Sequence, residues 1–264
     1  MSRGLIHLWG PLSIQSFGLI ITIGLLLFSW LLYRHKKRKQ LLSDDQFSEI
    51  LLIGIVSGII GGRFLYVIEE YHSMTSIIDM FSFWQGGFSI LGTILFVLFT
   101  LSIYLKRKNI AMLPFLDLIA LYAPLLQSIS RIGCYVAGCC YGIPTTLSWA
   151  VIYTSTTTLA PICVRMHPTQ LYSSATLFCI FLFMRFFATK FCNRPGQLIT
   201  LYLVLMSIER FSVDFWRADR FFFKATSLSL FSAQQWLALC IGIAALCVFT
   251  WLTLRRRSGN HESF

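Results

Sequence analysis

The chain carries seven apolar runs, each near the roughly 20 residues that take an α-helix across the hydrocarbon core of a bilayer, and this repetition leaves it few ways to fold. The runs lie at about 13–33, 49–68, 88–105, 113–130, 168–188, 197–215 and 234–254. In lipid every backbone N–H and C=O must be satisfied within the protein, so runs of this length are read as helices. Composition agrees. Of 264 residues 56% are hydrophobic and 12% charged, against roughly 25% charged in soluble domains, and the mean hydropathy of +0.70 excludes an ordinary soluble domain. The net charge of +11 does not point to nucleic acid, because the cations sit in short runs at the ends of apolar segments and make no broad basic face. The expectation is an all-α polytopic membrane protein, one seven-span domain over 1–264, with no separate soluble domain.

Basic runs give direction, since short loops rich in Lys and Arg stay in the cytoplasm. "RHKKRK" (34–39), "KRK" (106–108), the group Arg185, Lys190 and Arg194, and "RRR" (255–257) follow the first, third, fifth and seventh runs. All four fall on one side, which predicts an outward N-terminus and an inward C-terminus. The first run has its basic cluster after it and no small-residue cleavage site, so it reads as a span and not as a cleaved signal peptide. The connection over 143–167, with "TTLSWAVIYTSTTTLAP" (145–161), is rich in Thr and in branched and aromatic residues, and predicts a small strand-like cap on the outer face. No internal repeat of the transporter kind is present. Gly54, Gly58 and Gly62 fall on one helix face, a ridge that lets a neighbouring backbone approach.

Ionisable residues inside spans are costly enough that each calls for a function or a partner. Here they are Arg63, Asp117, Arg131, Glu209, Arg210, Asp214 and Arg217. In "SIERFSVDFWRAD" (207–219) the spacing of Arg210, Asp214 and Arg217 puts two cations and one anion on one helix face. With Arg63 and Arg131 this makes a cluster of guanidiniums in excess of its carboxylates. A guanidinium fork suits a phosphate, so the missing anion is read as a phospholipid headgroup. The alternative is a closed network in which Glu209, Asp214 and Asp117 pair the arginines.

"RIGCYVAGCCYG" (131–142) adds three cysteines. Their C-x4-C-C pattern matches neither the paired C-x2-C spacing of structural zinc sites nor a C-x-x-C redox motif, and no metal or other cofactor is expected. Small buried packing residues are the reading, with a disulfide among Cys134, Cys139 and Cys163, and behind it a metal site, as the alternatives. Gly133, Gly138 and Gly142 mark places where backbone must come close or turn after the span ends.

Taken together, "GGRFLYV" (61–67), "WQGGFSILG" (84–92), "SRIGCYVAGCCYG" (130–142), "HPTQLY" (167–172) and "ERFSVDFWRAD" (209–219) resemble, in order, the prolipoprotein diacylglyceryl transferase family. The resemblance covers most of the chain, and it implies a bacterial inner-membrane enzyme. Such an enzyme moves the diacylglyceryl group of phosphatidylglycerol to the thiol of a prolipoprotein signal-peptide cysteine and releases glycerol phosphate. It implies that Arg131 and Arg210 are catalytic, with His167 the remaining titratable base. A histidine before Pro168 at the start of a span also serves as a structural contact. Arg131, Arg63, Arg217, Gly86 and Gly87 would hold the lipid phosphate region, supported by Asp214, Glu209, Tyr172 and Gln170. The chain departs from the family pattern where a histidine is usual, at Leu91. It departs again at Cys134 and Cys139, in place of asparagine and glutamate, at Ser173 in place of glutamate, and at Phe17 in place of an aromatic hydroxyl. Either another proton acceptor serves, or the chain is a diverged paralogue acting on another lipid or thiol. A lipid-binding or transport protein without catalysis is the reading from a different class. A retinal protein is disfavoured because the last run has no lysine.

The positive-inside reading makes a direct prediction. A phosphatase fused after residue 260 should be inactive, and labels within 143–165 should be reachable from outside; an active fusion would break the assignment of all four basic clusters at once.

Overall fold

The structure, a computed structural model, describes residues 4–9, 12–71, 87–155, 158–222 and 230–258. Two short strands, β1 (Gly4–Trp9) and β2 (Leu12–Gln15), pair ahead of α1 (Ser16–Arg34). Then come α2 (Lys36–Leu41), α3 (Asp44–Glu69), α4 (Ile90–Arg107) and α5 (Met112–Ala137). Strands β3 (Val151–Ile152) and β4 (Arg165–Met166) precede α6, which runs Thr169–Phe183 and is prolonged by a π-helical turn, Met184–Ala188, and a last turn, Thr189–Phe191. The chain ends with α7 (Gln197–Asp214) and α8 (Ala233–Ser258).

A helix stands at each of the seven expected runs. Six of them, α1, α3, α4, α5, α6 and α8, are long and apolar enough to cross a membrane. The other, α7, has the length but carries Glu209, Arg210 and Asp214, so composition alone does not qualify it. Their outer faces are apolar: Leu26, Ile55, Phe99, Leu237 and Ile243 are more than half exposed. Buried positions in contrast include Ser57, Ser128, Thr169, Gln170 and Ser207. That inversion of the soluble pattern is what a lipid surround produces.

By its internal contacts the chain divides into two compact units, one of Met1–His7, Ser13–Leu32 and Leu116–Phe264, the other of Leu8–Leu12 and Tyr33–Phe115. In the second unit α3 opens with a capping box, Ser43 and Gln46 each satisfying the other's backbone N–H, and with Asp44 and Asp45 at the positive end of the helix dipole. The preceding basic run is not wholly a solvated face. Arg38 is buried, donates to the Tyr33 carbonyl at 2.8 Å and pairs with Asp44 at 2.5 Å.

The glycine ridge of α3 meets α4, with one correction. A side chain at Gly54 would point into open space, whereas a Cβ on Gly61 or Gly92 would run into the other's carbonyl oxygen. The close approach therefore centres on Gly61 and Gly92, flanked by Gly58 and Gly62, and Thr93 Oγ1 crosses it to donate to the Gly58 carbonyl at 3.1 Å.

In the first unit α5 and α6 are joined by a buried pair of hydroxyls. Ser128 Oγ donates to the Ser174 carbonyl at 2.8 Å, and Ser174 Oγ to the Ser128 carbonyl at 3.0 Å. Asp117, an expected partner for an arginine, caps α7 instead, accepting from the N–H groups of Gly196 at 2.7 Å and Ile199 at 2.8 Å. A buried carboxylate there meets the dipole's positive end and two orphan donors. The expected strand pair within 143–167 is present, β3 and β4 running antiparallel with Val151 opposite Met166.

Substituting Gly92 by valine should lower the thermal midpoint of the detergent-purified protein. Two backbones would have to separate, at a cost of about 2 kcal/mol or more. An unchanged midpoint would refute the α3–α4 contact as described.

Candidate active site

The first unit gathers three of the singled-out segments at one place, by backbone bonds more than by side chains. The fourth helix is longer than its apolar run suggested. α5 continues to Ala137, so Arg131 and Gly133 lie within it and not beyond its end. The helix accommodates Pro124 and Gly133 and runs on until Gly138, whose φ of 72° reverses the chain. Gly142 then enters a junction where its N–H donates to the His167 carbonyl at 3.1 Å, Ile143 N–H to Trp216 at 2.9 Å, and Ala218 N–H to Tyr141 at 3.1 Å. A Cβ at Gly142 would stand 2.6 Å from the His167 carbonyl oxygen and 2.7 Å from that of Trp216. Only glycine lets these three strands of chain meet. Gln170 Nε2 and Thr169 Oγ1 add bonds to the carbonyls of Cys139, at 2.7 Å, and Cys140, at 2.8 Å. Tyr153, pushed up to about 12 by burial, keeps its proton and donates it to the Tyr135 carbonyl at 3.1 Å.

The arginines sit around this junction. Asp214, 1% exposed, pairs with Arg210 at 3.6 Å and Arg220 at 3.8 Å, and accepts from Ser232 Oγ at 2.5 Å. Arg217 makes a two-pronged bond to Asp219, Nε to Oδ1 at 2.9 Å and Nη2 to Oδ2 at 2.5 Å. Arg131 is half-buried and has no hydrogen bond or ion pair with another described residue. It lies within electrostatic reach of Arg210 and Cys134. Three guanidiniums thus share two carboxylates and Arg131 pairs with neither, so among the described residues these charges do not form a closed network. Glu209, 3% exposed, does not close it either, for its Oε1 has no hydrogen-bond partner.

Glu209 lines a cavity of about 760 Å³ between α6, α7 and the 147–149 segment, together with His167, Tyr172, Ser212, Trp149 and Trp216. Within it Trp149 Nε1 donates to the Tyr172 hydroxyl at 2.8 Å, and that hydroxyl stands 3.2 Å from His167 Nδ1. Indole is a donor only, so the phenol oxygen accepts from Trp149, and it shares a second hydrogen bond with His167 Nδ1 whose direction follows the imidazole tautomer.

Two expected residues stand in the second unit: Arg63, buried, whose Nη1 donates to the Gly87 carbonyl at 3.0 Å, and Gly87 itself, with φ of 81°. Gly86 lies outside the described residues. Sequence reasoning passed over Asp219, Arg220, Ser232 and Gln235. Ser232 and Gln235 form a capping box at the start of α8, and Gln235 Oε1 also accepts from Arg220 at 3.2 Å. The S-x-x-Q signature was there to be read.

A family model for prolipoprotein diacylglyceryl transferase matches residues 3–251. The chain is also similar to named relatives. It is 32% identical to a phosphatidylglycerol–prolipoprotein diacylglyceryl transferase of Clostridium tetani, over 94% of this chain and 97% of that one. It is 30% identical to a second enzyme of that name from Clostridium perfringens, over 95% and 96%. For the enzyme of Dehalococcoides mccartyi the identity is 34%, over 80% of each chain.

Replacing Gly142 by alanine should destabilise the protein by about 2 kcal/mol or more, since backbone blocks the Cβ on both sides. The Gly54→Ala change, facing open space, should move the thermal midpoint little. Equal midpoints for the two variants would refute the junction.

Proposed function

The chain belongs to the prolipoprotein diacylglyceryl transferase family, and from that premise we propose that it moves the diacylglyceryl group of phosphatidylglycerol onto a prolipoprotein cysteine. The acceptor sulfur attacks the glyceryl carbon next to the phosphate ester, the carbon–oxygen bond breaks, and glycerol phosphate leaves with the bonding pair. Charge develops on the departing phosphate, so the residues that matter are those that hold it more tightly as it leaves.

The observation that carries this reading is Arg131, half-buried in α5 without a hydrogen bond or ion pair to another described residue. An arginine so placed is costly unless an anion comes to it. Arg210, loosely held by Asp214 at 3.6 Å, is the second member of the clamp. Arg217 is already committed to Asp219 and is assigned a supporting part. By the resemblance Arg63, Gly86 and Gly87 are assigned to the lipid as well. The apolar cavity at Glu209 and His167, with Tyr172 on its wall, suits an apolar portion of a substrate, and Gln170 supports the adjoining junction through the Cys139 carbonyl. The protein is assigned to a bacterial cytoplasmic membrane as a single seven-span domain, α7 being the sixth span in order, N-terminus outside and C-terminus inside. The four basic clusters support that orientation, and the pairing of Arg210 with Asp214 lowers the cost of α7.

The assay is transfer to a lipobox peptide by purified protein given phosphatidylglycerol. Arg131→Lys keeps the charge and loses the fork, so it should be nearly as damaging as Arg131→Ala. Each should cost about 3 to 4 kcal/mol in transfer, as does loss of an oxyanion donor. Arg210→Ala should behave similarly, with membrane levels compared first because Asp214 loses a partner. Well-folded Arg131→Ala retaining transfer within about threefold of wild type, under about 1 kcal/mol, would remove the clamp.

A further inference from the structure

The sulfur atoms of Cys134, Cys139 and Cys140 lie within 4.8 Å of one another, the one such cluster of metal-ligating side chains among the described residues. Their spacing argued against a metal because spacing rules assume a knuckle or a single helix face. Here one ligand comes from the last turn of α5, and two follow a chain reversal at Gly138, the second of them, Cys140, being itself left-handed with φ of 58°. A non-glycine residue in that region costs free energy and persists only where its surroundings hold it. The turn is held by Cys139 N–H donating to the Cys134 carbonyl at 3.1 Å and by Gln170 and Thr169 donating to the carbonyls of Cys139 and Cys140, with the Cys139 thiol adding a weak bond to the Cys134 carbonyl at 3.7 Å. All three cysteines are free, Cys134 buried and the other two half-buried.

We propose that these three cysteines bind a zinc-type divalent cation whose fourth position takes the acceptor thiol of the transfer reaction. Zinc–sulfur bonds of about 2.3 Å in a tetrahedron set sulfurs about 3.8 Å apart, so each sulfur has to move by no more than about 1 Å. Three thiolates and a dication leave one negative charge, and the side chain of Arg217 interacts with Cys140. No described histidine or carboxylate joins the cluster, which leaves the open position found in catalytic zinc sites. Arg131, interacting with Cys134, puts the site beside the phosphate clamp.

The role in transfer rests on the function proposed above. The acceptor thiol binds the cation and gives its proton to water, because a coordinated thiol is deprotonated. Its sulfur attacks the glyceryl carbon, the carbon–oxygen bond breaks toward the phosphate held by Arg131, and the thioether, a weaker ligand, departs. Leu91 and Cys139, where the resemblance leads one to expect a histidine and a glutamate, then stand in a chain that no longer needs a side chain to accept the proton.

The test uses the full-length protein in detergent, stripped with a chelator and reloaded with zinc or cobalt. About one metal per chain is expected, with a thiolate-to-cobalt absorption band and three thiols shielded from a thiol reagent. Serine at Cys134, Cys139 or Cys140 should weaken zinc binding by more than about tenfold, while Cys240→Ser should not. If those variants fail to fold, the cobalt band and thiol shielding of the wild type decide alone. Absence of both in folded protein overturns the site, as does a disulfide among the three found by mass mapping of protein from native membranes. Transfer lost on stripping and regained with zinc supports the role. Undiminished transfer by metal-free protein overturns it and leaves the transferase reading standing. Stoichiometric zinc with no transfer under any loading keeps the site and removes the role and the transferase reading.

Discussion

Asp214 decides what the arginines around it are able to do. Its carboxylate is almost wholly out of contact with solvent, and it is shared by Arg210, Arg220 and the hydroxyl of Ser232. A buried carboxylate with one partner would lock that partner; with three it holds the Ser232 hydroxyl closely and the two guanidiniums only loosely, at separations near the limit of an ion pair. Arg210 is therefore positioned without being neutralised. The same carboxylate ties the end of α7 to the start of α8 through Ser232. One group thus supports a helix pair and leaves cationic character at the site, two demands that separate residues would have met less compactly.

Much of the fold was legible because lipid makes the rule simple: an apolar run of the right length must be a helix. Each of the seven runs holds one. The end of α5 was not legible, because Arg131 looked like a span boundary while the helix obeys backbone chemistry and stops at Gly138. The glycine ridge was legible in kind and wrong at Gly54, since periodicity names a face and not the depth at which a neighbour crosses it.

At the site, Arg131, Arg210, Asp214 and Glu209 could be found because each is a charge where charge is expensive. Their pairing could not. Asp117 looked like a counter-ion and is a helix cap, which depends on α7 beginning beside it, 79 residues later in the chain. The three sulfurs are the sharper case. Read along the sequence their pattern fits no metal site, and only the reversal after α5 brings them together.

The cap at Asp117 has a further effect on how α5 and α7 sit. These helices meet at their beginnings through Asp117, Gly196 and Ile199, and just past their ends through Gly142, Ile143 and Trp216. They therefore run in the same direction, fastened top and bottom like rungs between two rails. Fourteen residues separate Asp117 from Arg131 and fourteen separate Gly196 from Arg210, about 21 Å of helical rise in each case. The cap works as a depth gauge. By fixing the two helices to a common starting level, a carboxylate about 21 Å of rise below them sets Arg131 and Arg210 at the same height, within electrostatic reach of each other.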